Sequence, residues 1–358
     1  MRPRVGFLNV TETSTVISHR IYDQDYFAQL SGEFDTVRID RYRSVAELPA
    51  WFADLENQNI DYVFLFIFSP DYLEYIPLLE ARNACGSRVG FILVPCILVP
   101  RLEPIYRDLP RHIAERDVVF MFSDFVRDRL GQLSKRYDDF LVPCLLDVEA
   151  FPANTRPPSD SLELFYCARL VPEKGMAELL EALGRIKPRR KFKLHIVTAI
   201  DAKHANPPFF AHLDKLTQLH GLEPHIERHG SLFDQQQVRR DLMSRCDALI
   251  HLTTCPGETF GRIVVEAFAA GLAVVTTNWQ GVNESVTTEN GYLVDVGPNR
   301  RIDLDGVVAA LDALYDPATL TRFKQVNRVK AANYDYRPHM RRLRDLIEAR
   351  LSAARALH

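Results

Sequence analysis

The sequence has no apolar run approaching the roughly 18 residues of a membrane-spanning helix. It also lacks a charge excess. Its 44 Lys and Arg against 47 Asp and Glu leave -3, so the overall electrostatics give no case for nucleic acid as a partner. The six cysteines are scattered, with no C-x-x-C pair and no metal-like grouping with histidine. Cys85, Cys96, Cys144, Cys167 and Cys246 sit beside apolar residues and are expected as reduced core side chains. No cleavable leader is expected, because "MRPRVGFLNVTE" passes straight into a strand-like run. Together these absences set the cytoplasm as the default compartment.

What is present is an alternation. Short, nearly continuous apolar runs occur at 4–10, 35–39, 62–68, 88–94 and 117–123, as a parallel sheet covered on both faces requires. Between them, 45–58 and 71–84 carry the spacing of amphipathic helices. The pattern pauses at "FPANTRPPSDS" (151–161), which reads as a linker. A second series follows, with strands at 162–170, 191–200, 247–253 and 272–278, a helix over 175–186 and a terminal helix over 336–357. The fold class is therefore α/β and doubly wound. We expect an N-terminal domain over 1–155, a second over 156–335 and a terminal helical segment over 336–358. At 358 residues the chain is long enough for two cores, and ligands often bind between such domains.

Two stretches carry chemistry. In "CPGETFGRIVVEAFAAG" (255–271), Pro256-Gly257 turns the chain and Glu258 stands at or just before an expected helix start. The backbone N–H groups of Thr259, Phe260, Gly261 and Arg262 would then form an anion-binding end, and Gly261 would permit close approach. Eight helical residues rise about 12 Å, so Glu258 and Glu266 would bracket a sugar–diphosphate–ribose. Taken alone, the same stretch reads more simply as a cap glutamate and a solvated one. In "CARLVPEKG" (167–175), Arg169 and Lys174 lie five apart around a turn containing Pro172 and can converge on one anion. Alone, they are two solvated cations.

Together the stretches resemble the GT-B glycosyltransferases, in particular the large retaining group numbered family 4. The family's G-R-L-x-x-x-K-G turn appears as Ala168-Arg169-Leu170…Lys174-Gly175, with Ala in place of the first glycine, and its E-x7-E helix as Glu258…Glu266. "HGSLFDQQQVRRDLMSRCDALIHLT" (229–253), "GVNESVTTENGYLV" (281–294) and "LVPCLLDVEAF" (141–151) match further family segments, so the likeness spans roughly 140 to 340. The resemblance implies GT-B architecture: two Rossmann-like domains facing a central cleft, with a C-terminal helix crossing back to the first. It implies a nucleotide-sugar donor, a UDP- or GDP-sugar first, held without a bound metal or other cofactor. Arg169 and Lys174 would hold the diphosphate, helped by the amides around Phe260, Gly261 and Arg262. Glu258 would hold the transferred sugar and Glu266 the ribose. The base would lie near Ser231, Leu232 and Phe233. Transfer would retain the anomeric configuration, with the leaving phosphate assisting deprotonation of the acceptor and no side-chain nucleophile.

The first half departs from the family. Where relatives carry a glycine-rich loop, this chain has "NVTETST" (9–15), so Thr11, Thr13 and Ser14 are candidates for a donor or acceptor contact, with a helix N-cap the equal alternative. The family histidine after a middle strand is absent at Val94-Pro95-Cys96, where Cys96 is expected in the core. Asp23-Gln24-Asp25 and Asp303-Leu304-Asp305 read as helix-start or surface pairs, not as a metal motif. "KPRRKFK" (187–193) reads as a solvated loop and strand start. Arg337, Arg341, Arg342 and Arg344 on the last helix read as a structural clamp. Peripheral contact with the inner membrane face, where lipid-linked acceptors reside, is the second reading. A glycan, glycolipid or small molecule is the expected acceptor. Two other functions stay open: a GT-B sugar-nucleotide epimerase, which needs placed acid–base groups, and a protein that binds sugar nucleotides within a complex without turnover.

Overall fold

The structure is a computed structural model. It describes the chain apart from Met1 and residues 9–16, 69–72, 138–139, 142–144, 155, 158, 199–205 and 357–358. Thr11, Thr13, Ser14 and Cys144 lie outside the described residues. The chain divides into two compact units, Met1–Leu145 with Tyr336–His358 and Leu146–Asp335.

The first unit is a parallel sheet of β1 (Arg4–Leu8), β2 (Asp35–Ile39), β3 (Tyr62–Ile67), β4 (Gly90–Pro95), β5 (Val118–Met121) and β6 (Phe140–Leu141), in the order β2-β1-β3-β4-β5-β6. Every residue of β3 and β4 is buried, which is why these strands read as unbroken apolar runs. Helices α1 (Ile17–Glu33), α2 (Leu48–Asn57), α3 (Tyr75–Ala84), α4 (Glu103–Asp108) and α5 (Asp124–Gly131) belong to it.

The sequence reading did not mark α1. Its buried face mixes Ile21, Tyr26 and Leu30 with His19, Asp23 and Gln29, so apolar periodicity fails. Asp23 is buried inside this helix, paired with Arg38 at 2.6 Å, and so lies neither at a helix start nor at the surface, the two places expected. Cys85 is a second correction. It is exposed, because it caps α3 where the chain turns out at Gly86. Cys96, Cys167 and Cys246 are buried as expected.

The second unit is a parallel sheet of β7 (Ser161–Cys167), β8 (Lys191–Val197), β9 (Ile226–Arg228), β10 (Ala248–His251), β11 (Ala273–Thr277) and β12 (Gly291–Val294), in the order β12-β11-β10-β7-β8-β9. The order reverses direction between β7 and β10. In open parallel sheets that switch point, at the carboxyl ends of the two strands, opens the crevice where ligands sit. Helices α6 (Met176–Ile186), α7 (Pro207–Leu219), α8 (Gln236–Met243), α9 (Arg262–Ala270), α10 (Leu304–Ala313) and α11 (Pro317–Lys330) complete the unit. Asp303 caps α10, and Asp305 pairs with Arg185 at the surface.

The last helix, α12 (Tyr336–Ala356), belongs to the first unit. Met340, Leu343 and Ile347 are buried along one stripe, each contributing roughly 1.5–3 kcal/mol by leaving water. Arg344 binds Glu33 of α1, and Arg350 donates to the Asp117 carbonyl, so part of the arginine cluster has a structural role within this unit. Among the described residues, no helix is long and apolar enough to cross a membrane.

Candidate active site

Both chemistry-bearing stretches emerge at the switch point of the second sheet, one after β7 and one after β10. Gly175 explains how closely they approach. It takes φ +66°, and a Cβ there would lie 2.2 Å from the Leu252 carbonyl oxygen, so only glycine lets the first turn nest against the end of β10. The Thr254 amide donates to the Glu173 carbonyl at 2.8 Å, joining the two loops, while the Tyr166 hydroxyl donates to the Lys174 carbonyl at 3.1 Å.

This packing aims Lys174 across the switch point. Its ammonium, 8 % exposed as a residue, donates to the Glu258 carboxylate and, at 3.3 Å, to the Thr253 hydroxyl. Burial alone would push the Glu258 carboxyl up. Lys174, His251 and the Gly261 amide overcome it and hold the group down at about 2. His251, the last residue of β10, is buried with Nε2 4.0 Å from Glu258. Burial first, then the Lys174 charge, lowers its pKa to about 4 against the pull of Glu258, so the ring is neutral. Arg169 follows β7 on the same turn as Lys174. It is half-buried and, among the described residues, its guanidinium has no hydrogen-bond or ion-pair partner.

Helix α9 starts later than the sequence reading placed it. It begins at Arg262, because Gly261 has φ +79° and stands outside the helix as its cap. Glu258, Thr259 and Phe260 form the turn before it, and the Glu258 amide donates to the Cys255 carbonyl at 3.1 Å. The eight-residue helical rise between the two glutamates therefore does not apply. Phe260 is buried against Tyr334, with ring centroids 6.0 Å apart, and Thr259 is also buried.

Glu266 lies on the buried face of α9 at 3 % exposure. Arg239 of α8 grips both its oxygens, one of them at 3.3 Å, and Arg262 Nε adds a bond of 3.0 Å. These two cations outweigh burial and hold the Glu266 carboxyl at about 2. Arg239 also lies 6.0 Å from the centre of the Phe233 ring, which joins Glu266 to the 231–233 segment where the base was expected. Leu232 is buried and Phe233 half-buried there.

Two members of this arrangement were missed in the sequence. His251 closes an apolar strand, and that polar end beside the glutamate turn was the available signal. Arg239 shares a helix face with buried Met243 four residues on, whereas Arg240 is half-buried. The helical phase could have separated these adjacent arginines.

Residues 147–304 match the family described as Glycosyl transferases group 1. Among curated proteins, the chain is 29% identical over 221 residues to phosphatidyl-myo-inositol mannosyltransferase of Mycobacterium tuberculosis, covering 59% of this chain and 53% of that protein. It is 27% identical over 164 residues to a phosphatidylinositol N-acetylglucosaminyltransferase subunit of Arabidopsis thaliana, covering 45% and 34%. The chain thus spans about a third to a half of the length of these relatives. A solved glycosyltransferase from Rickettsia africae aligns over 98% of this chain and 99% of its own, with TM-score 0.74 and 16% identity. Anabaena HepE, solved with UDP and glucose, aligns over 96% and 99%, with TM-score 0.67 and 16% identity. At such identities the likeness shows the fold, which is GT-B.

Proposed function

Since residues 147–304 belong to the glycosyl transferases group 1 family, we infer that the protein is a retaining glycosyltransferase. It moves a sugar from a nucleoside-diphosphate sugar to a glycan, glycolipid or small-molecule acceptor without a catalytic metal. The observation that carries this reading is Arg169, a half-buried guanidinium without a partner among the described residues, on the same turn as Lys174. A cation held there without an anion fits a ligand that brings its own negative charge.

Arg169 and Lys174 bind the diphosphate, with the backbone of Phe260, Gly261 and Arg262 beside them. As the carbon–oxygen bond to the leaving phosphate breaks, negative charge builds there, and the two cations stabilise it where a divalent ion otherwise would. Glu258, fixed by Lys174 and the Gly261 amide, accepts from hydroxyls of the transferred sugar. Arg239 orients Glu266 for the ribose, and the donor displaces the Arg262 bond to it. Leu232 and Phe233 border the base. Thr11, Thr13 and Ser14, outside the described residues, stay candidates for a donor or acceptor contact.

A UDP- or GDP-sugar is the donor class, supported by the UDP bound to HepE. A lipid-linked acceptor is supported by the names of both relatives, which specify phosphatidylinositol lipids, and the cytoplasmic membrane face is where we propose it is met. The exposed Arg341 and Arg342 offer such a surface cationic side chains. The test is to incubate the protein with UDP- and GDP-sugars and phosphoinositide or glycan acceptors, then read the new anomeric centre by NMR. A product keeping the donor's configuration is expected. An inverted product, or an epimerised donor without transfer, would overturn the reading.

A further inference from the structure

A second cluster of chemistry-bearing side chains lies at the β8–β9 edge of the second sheet, outside the donor residues. Strand β9 is three residues long and, among the described residues, pairs only with β8, with Leu194 opposite Ile226, His195 opposite Glu227 and Ile196 opposite Arg228. Strand alternation puts Leu194 and Ile196 in the apolar core and His195 on the opposite face. Glu227 and His229, two apart, share that face. His195 Nδ1 lies 3.0 Å from His229 Nε2 and 3.9 Å from Glu227 Oε2, while His229 Nε2 lies 3.6 Å from Glu227 Oε1.

We propose that His195 Nδ1, His229 Nε2 and the Glu227 carboxylate form a zinc site that clips the edge strand β9 to β8. Zinc holds imidazole nitrogen and carboxylate oxygen at about 2.0–2.2 Å in a tetrahedron, so neighbouring donor atoms stand about 3.4 Å apart. The three observed separations straddle that value. A water would complete the tetrahedron. Two imidazoles with one carboxylate suit zinc better than calcium or magnesium, which prefer all-oxygen sites.

The protonation pattern is already set for one ligand. His195 Nε2 lies 2.7 Å from Glu163 Oε2 on β7. An ionised carboxylate only accepts, so Nε2 carries the proton and the Nδ1 lone pair faces the cluster. Glu163 thereby supplies the outer carboxylate that commonly orients a metal-binding histidine, and Arg156 anchors it at 3.8 Å. Without metal, His229 Nε2–H donates to His195 Nδ1. Zinc binding requires that proton to move to His229 Nδ1, a change of tautomer with no net proton released. Lys193 pairs with Glu227 at the rim and must swing into solvent as the metal takes the carboxylate. His195 is 9 % exposed, so the cation would sit against the sheet. Nothing at this site depends on the sugar-nucleotide reading.

The test uses the full chain without a histidine tag, stripped with chelator and dialysed against Zn2+, with bound metal counted by mass spectrometry. The wild type is expected to retain one more equivalent than His229→Ala or Glu227→Ala. Zinc held by the thiol of exposed Cys85 cancels in that difference. The melting temperature should rise with Zn2+ in the wild type alone, and Co2+ should give the visible bands of a tetrahedral nitrogen–oxygen site. Glu163→Gln should keep the fold and weaken zinc binding about 10–100-fold. If His229→Ala fails to fold, Glu227→Ala carries the comparison, since Glu227 is 43% exposed at its side chain. Equal zinc content in wild type and Glu227→Ala, with no shift in melting temperature, would overturn the proposal and leave the cluster a hydrogen-bonded relay.

Discussion

His251 gives the second unit a pH-dependent stability whose size can be worked out. The ring titrates at about 4 in the folded protein against its ordinary 6.5, because burial and the Lys174 ammonium disfavour its charged form. A folded value below the unfolded one means the unfolded chain binds the proton first. The stability is therefore fully present above pH 6.5 and is lost progressively as pH falls toward 4. At 1.36 kcal/mol per unit, the whole window amounts to roughly 3 kcal/mol, of which about 2 kcal/mol is gone by pH 5. Glu258, held at about 2 against an ordinary 4.5, loses its own contribution only as pH falls below about 5, so it leaves the range from pH 8 to pH 5 clear.

The perturbation is His251→Gln, which removes the titrating ring and keeps a polar side chain. The protein has two tryptophans, and Trp279 donates to the carbonyl of Cys255 at 2.9 Å, beside the site. In a Trp51→Phe background, its fluorescence follows urea unfolding of the second unit. Between pH 8 and pH 5 the parent should lose about 2 kcal/mol more than His251→Gln. Equal losses would show that the ring titrates normally and that Lys174 and Glu258 are not arranged around it as described.

Lys174→Ala and Arg169→Ala should each cut transfer about 100-fold or more, the cost of removing one donor to developing charge. Lys174→Ala should also lower the melting temperature, because it strips Glu258 of its partner, whereas Arg169→Ala should not. Glu266→Gln leaves Arg239 buried and uncompensated, and should destabilise the second unit by about 3–5 kcal/mol in urea titration. Treatment with EDTA should leave transfer intact while lowering the melting temperature through the zinc clip. Strict dependence of transfer on Mg2+ or Mn2+ would refute the leaving-group role of the two cations.

The legible parts of the chain were those where one physical demand dominated. Strands β3 and β4 are buried on both faces and were plain in composition, whereas α1 was hidden because His19, Asp23 and Gln29 share its buried face. The E-x7-E spacing singled out two carboxylates, Glu258 half-buried beside Lys174 and Glu266 buried against Arg239, but the helical rise invoked for them does not exist. A left-handed Gly261 delays the helix to Arg262, and a glycine's φ is not written in sequence. The link from Glu266 to Phe233 runs through Arg239 on α8, a contact made only by folding. The same holds for the histidine–glutamate cluster. His195 and Glu227 lie far apart in the chain and become neighbours only through parallel strand register.

The central claim is that the switch point of the second sheet holds a nucleoside diphosphate between Arg169 and Lys174. Titration calorimetry of UDP and GDP into wild type and Arg169→Ala tests it most directly, because this variant should keep its melting temperature. The account predicts that at least one nucleotide binds the wild type and that Arg169→Ala loses about tenfold or more of that affinity, about 1.4 kcal/mol. Unchanged affinity in the variant, or no binding of either nucleotide to the wild type, would contradict it.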